Sequence, residues 1–132
     1  MNSRNLWGPL PATEQIITPT QILKEQATQL GDMTKGILYG NVSVTAAHGE
    51  FFLVQLAIVA PFIDNYTYLA VQVEHGPQLY PATVRPGYNL YDKNLAVECE
   101  NQDEFEKAVG NILSSDHMQR IIRSLLAQSR SA

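Results

Sequence analysis

The sequence predicts an α+β domain: an antiparallel meander sheet of about five strands, with one N-terminal and two C-terminal helices packed on one face. Three observations carry this. Across residues 36–100, apolar side chains alternate with Tyr, Gln, Asn, Ser, Thr and Glu at the two-residue period of a strand. A helix start signature with an apolar stripe precedes that stretch, and two more helical segments follow it. The intervals between strand segments are too short for helical crossovers, so sequential strands pair antiparallel.

Residues 1–17 form an irregular arm, because Gly8, Pro9 and Pro11 interrupt any period. Trp7 and Leu10 offer apolar anchors for tacking the arm onto the domain or onto a neighbouring subunit; the alternative is a frayed terminus. The single domain spans residues 18–132. Its first helix starts with Thr18 as N-cap, Pro19 as first helical residue and Gln21 as the reciprocal partner of a capping box. Ile22, Leu23, Ala27 and Leu30 share one stripe, and Gly31 is the expected stop.

In the first strand, Leu38, Val42, Val44 and Ala46 oppose Tyr39, Asn41, Ser43 and Thr45, and residues 47–50 turn around His48-Gly49. The second strand is apolar on both parities: Phe52, Val54, Leu56, Ile58 and Ala60 on one, Phe51, Leu53, Ala57 and Val59 with Gln55 on the other. Such a strand lies inside a sheet, with something covering its second face. The third strand sets Leu69, Val71 and Val73 against Tyr68, Ala70, Gln72 and Glu74. After a turn at Gly76-Pro77, residues 79–85 make a short strand, and Pro81 within it predicts an edge or a bulge. Residues 85–93 read as a loop, and Leu95, Val97 and Cys99 complete the sheet. Asn101 with Glu104 opens a helix carrying Phe105, Ala108, Val109, Ile112 and Leu113. Residues 114–116 stop it and cap the last helix, striped by Met118, Ile121, Ile122, Leu125 and Leu126.

Composition narrows the function classes. A chain of 132 residues with 45% hydrophobic and 17% charged residues is long enough to bury a core without disulfide or metal. A net charge of −4, with nine Lys and Arg scattered along the chain, lacks the basic stripe of a nucleic-acid binder. The lone Cys99 forms no internal disulfide and suits a reducing cytosol. The first thirty residues show no signal-like apolar segment. The longest nearly apolar run, residues 51–63, is shorter than the roughly 20 residues of a membrane span, so a soluble cytoplasmic protein is expected.

No chemical constellation stands out. His48, His75 and His117 belong to no metal-ligand spacing and read as surface histidines; Cys99 lies on an apolar parity, where packing outweighs reactivity. Asp103, Glu104 and Glu106 suit a helix start, while Glu98 and Glu100 share a strand face but lack a third metal ligand. No cofactor and no metal are expected. The six tyrosines stand against one Trp and four Phe, and tyrosine favours contact surfaces. Tyrosine pairs that merely stabilise a sheet face are the competing explanation.

The expected function is a non-enzymatic protein-binding or assembly module. It would hold a partner protein or a second copy through the sheet face opposite the helices, with no nucleic acid and no membrane. Phe51, Leu53, Gln55, Tyr39, Tyr68, Gln72, Arg85, Tyr88 and Tyr91 are the candidate binding residues, with Ala57 and Val59 extending the apolar strip. The alternative is a small-molecule-binding or small hydrolytic domain using the 85–93 loop and the strand ends, with Arg85, Tyr88, Tyr91 and His75. A third arrangement swaps the first helix and the Trp7 arm onto a second subunit.

Overall fold

The capping chemistry and strand alternation give the element order directly. In the computed structural model, which describes residues 4–47 and 49–131, the chain runs α1 (Pro19–Met33), β1 (Tyr39–Ala47), β2 (Phe51–Ala60), β3 (Tyr66–His75) and β4 (Ala82–Pro86). A 3-10 turn (Lys93–Leu95), β5 (Val97–Cys99), α2 (Gln102–Leu113) and α3 (Asp116–Ser129) follow. The strands form one antiparallel sheet in the order β1-β2-β3-β4-β5, a meander, so the fold is α+β. His48 lies outside the described residues. Among the described residues no helix is long and apolar enough to cross a membrane.

Each helix starts where its cap dictates. The Gln21 N–H donates to Thr18 Oγ1 at 3.1 Å and the Thr18 N–H donates to Gln21 Oε1 at 2.9 Å, completing the capping box. The Asn101 side chain accepts from the Glu104 N–H, and the Ser115 hydroxyl accepts from the Met118 N–H. The stop of α1 differs from the sequence expectation. Gly31 stays helical; the chain turns at Gly36 (φ +80°), whose N–H donates to the Gly31 carbonyl at 2.8 Å. The buried Thr34 hydroxyl donates to the Leu30 carbonyl and accepts from the Leu38 N–H, which ties the helix end to the strand entry.

The core lies between the sheet and the helices in two adjoining clusters. In one, Val54, Leu56, Val71, Val73, Val84 and Cys99 pack against Ile22 and Leu23 of α1 and Phe105, Ala108 and Val109 of α2. In the other, Leu38, Ile58, Ala60 and Ala70 meet Met118 and Leu125 of α3. Phe105 is fully buried, and burial of a side chain of that size is worth about 1.5–3 kcal/mol. Helix α1 reaches the sheet closely because Gly40 has no side chain: a Cβ there would sit 2.5 Å from Ala27 Cα.

Two local expectations are corrected. Strand β4 begins at Ala82, after Pro81, and lies between β3 and β5, so it is not an edge; Pro81 takes no donor from the ladder because it precedes the strand. In β3 the pairing jumps from Leu56↔Val71 to Ala57↔Leu69, a bulge that reverses the facing of everything N-terminal to Val71. Ala70 and Val71 both reach the helical side, and Tyr68 follows Ala70 there. Gly87 fits against this bulge. Its N–H donates to the Ala70 carbonyl at 3.0 Å, and an added Cβ would lie 2.0 Å from the Leu69 oxygen.

Candidate functional site

All three helices contribute to clusters on one side of the sheet, so the other side carries no helix among the described residues. The register arranges this outer face in rows. Ser43, Gln55, Gln72 and Arg85 lie side by side across four strands, and Gln55 Nε2 donates to Gln72 Oε1 at 2.7 Å. Next to them run Thr45, Leu53, Glu74, Thr83 and Glu98. Phe51, 44% exposed, pairs with Ala47 at the hairpin end.

On the opposite side of the glutamine row lie Asn41, Ala57 and Leu69, then Tyr39, Val59 and Thr67. Ala57 and Val59 are only 9% and 5% exposed, between these neighbours. The outer face is therefore no continuous apolar strip. A polar belt separates a partly shielded apolar patch beside Tyr39 from an open one at Phe51 and Leu53.

Tyr68 leaves this face altogether, because the bulge turns it toward α3. Its hydroxyl shares a 2.8 Å hydrogen bond with His117 Nε2, and the Tyr88 ring lies 4.6 Å from the same imidazole. Burial pushes the Tyr68 phenol above its ordinary pKa, and the neighbouring Tyr66 and Tyr88 phenols add to the rise. His117 thus sits between two tyrosines, not free on the surface. His75 is also not a surface residue: it is 6% exposed, its ring lies 5.4 Å from Phe52, and Nδ1 is 2.8 Å from the Gly76 carbonyl.

The set proposed for the loop is dispersed. Arg85 points to the outer face, Tyr88 joins His117, and Tyr91 is 94% exposed. His75 pairs with Ala82 at the start of β4, whereas the loop leaves from its end at Pro86. Trp7 of the arm is 93% exposed and does not pack on the domain. Cys99 is fully buried, and burial raises its thiol pKa, with Glu104, Glu100 and Glu98 nearby adding to the rise. A hydrogen bond with Glu98 raises the Glu100 carboxyl pKa. Among the described residues no three His, Cys, Asp or Glu side chains gather as a metal site.

Neither of two concavities has the full lining expected from the sequence. One, of about 400 Å³, opens between the three helices over the sheet, with Leu30, Met33, Ile58, Leu113, Met118 and Ile122 in its wall. The other, of about 540 Å³, lies where Pro86, Tyr88, Leu95 and Val97 face Lys107 and Ile112 of α2. Both arise from gaps between elements distant in sequence, which residue periodicity does not encode. Comparison with protein-family models, curated proteins and solved structures finds no match to this chain.

Proposed function

We propose that this chain is a non-enzymatic protein-binding module whose contact surface is the outer face of the sheet. The observation that carries this is the one-sided placement of the helices, which leaves that face with exposed Tyr39 and Phe51 around the Gln55–Gln72–Arg85 belt. Aromatic residues and an arginine around hydrogen-bonded amides match the composition of protein interfaces. A soluble, cytoplasmic setting without nucleic acid or membrane accords with the mild acidity and the buried, unreactive thiol.

A photo-reactive residue at position 53 tests the reading in extracts of the native cell. It is expected to yield a discrete protein adduct that Arg85→Glu suppresses, with no such adduct from position 124 on the exposed side of α3. Equal labelling from both positions would sink the proposal. A second reading, small-molecule binding or hydrolysis near the 85–93 loop, draws support from the concavity beside Tyr88. Arg85, Tyr91 and His75 do not line that concavity, so a ligand there would meet Tyr88, Leu95 and Lys107 instead.

A further inference from the structure

The two edges of the sheet are built differently. Strand β5 is three residues long and carries Glu98, with Glu100 just beyond it. Shortness and charge are the usual protections of an edge against pairing. Strand β1 has neither. Its nine residues, YGNVSVTAA, include no charge and no proline, and its register with β2 runs from Tyr39↔Val59 to Ala47↔Phe51 without a bulge. Ala27 meets Gly40 along the direction of its missing Cβ, which is the face of the sheet and not the line of its ladder hydrogen bonds. Beyond the ladder with β2, none of the described backbone hydrogen bonds involves residues 39–47.

We propose that β1 pairs antiparallel with β1 of a second copy, joining two sheets into one about a two-fold axis. The strand's own sequence singles out this occupant. Centred on Ser43, the pairing uses all nine residues: Tyr39 faces Ala47, Gly40 faces Ala46, Asn41 faces Thr45, and Val42 faces Val44 of the other copy. β-Branched side chains meet across the axis on the helical side, small polar ones meet on the outer side, and no like charges are opposed. Val44, exposed in the single chain, gains an apolar neighbour. The axis stands normal to the sheet, so both helical layers share a side and the two outer faces become continuous. This pairing does not depend on the outer face being a binding surface.

Light scattering and directed disulfides decide it. The wild type is expected at twice the chain mass at micromolar concentration. Ser43→Lys, which sets two ammonium groups opposite each other, is expected to give a folded monomer, whereas Phe51→Glu on the outer face leaves the mass doubled. In a Cys99→Ala background, oxidising a mixture of Val42→Cys and Val44→Cys chains is expected to link the two variants. Paired Cα atoms at about 4.5–5.5 Å fall within disulfide range. Neither variant alone is expected to cross-link, because like positions are then two residues out of register.

A monomeric wild type overturns the proposal. A dimer that forms no mixed disulfide, or that Phe51→Glu dissolves, overturns it too and moves self-association to the outer face. Should Ser43→Lys fail to fold, the mixed disulfide decides alone.

Discussion

Tyr80 shows how one atom sets a local energy. Its ring packs edge-on against Phe105 at 6.3 Å, yet its buried hydroxyl has no hydrogen-bond partner among the described residues. An unsatisfied buried hydroxyl costs about 1–3 kcal/mol, so Tyr80→Phe is expected to stabilise the protein by about 1 kcal/mol, read as a higher urea midpoint at unchanged slope. A lower midpoint would mean that the hydroxyl is satisfied in solution. The residue identities that matter here were visible in the sequence, but their environments were not. His75 and His117 have ordinary surface contexts by local spacing, and only packing against Phe52 and between Tyr68 and Tyr88 removes them from the surface.

At the scale of elements, the start signals were legible and the stops were not. Thr18, Asn101 and Ser115 cap their helices as their side-chain chemistry requires, because an N-cap bond is local. Gly31 was the wrong stop because termination at Thr34 depends on Leu38, already committed to the strand entry. The union of α1 with β1 rests on Gly40. Replacing Gly40 by Ala forces its Cβ onto Ala27 backbone, and overpacking of this kind costs about 1–3 kcal/mol. Chemical denaturation of Gly40→Ala is expected to show that loss, while Gly110→Ala, where an added Cβ meets nothing within 4 Å, shows none of it.

For the molecule as a whole, three groups link stability to alkaline pH. Burial is the largest cause raising the pKa values of Cys99, Tyr68 and Tyr80. Each therefore holds its proton to higher pH when folded than when unfolded. Above the unfolded value the unfolded chain binds fewer protons, and stability falls as pH rises. The decline is expected to begin near the ordinary thiol value of about 8.5 and to steepen past about 10, where the tyrosines join. Urea titrations across that range check the slope, and the combined Cys99→Ala and Tyr80→Phe variant is expected to flatten it, whatever its stability at neutral pH.

The sequence by itself determined the fold class, the meander and the helix starts, because alternation, helical periodicity and capping are properties of residues a few positions apart. Only the tertiary structure decided which way Tyr68 faces, since a single extra residue in β3 inverts the parity that the pattern implies. It also decided that Pro81 stands before an interior strand, that Ala57 and Val59 are shielded, and that a polar belt divides the outer face. These depend on register between strands and on the neighbours it brings side by side. A two-residue period is blind to such a slip, whereas the paired backbone is not.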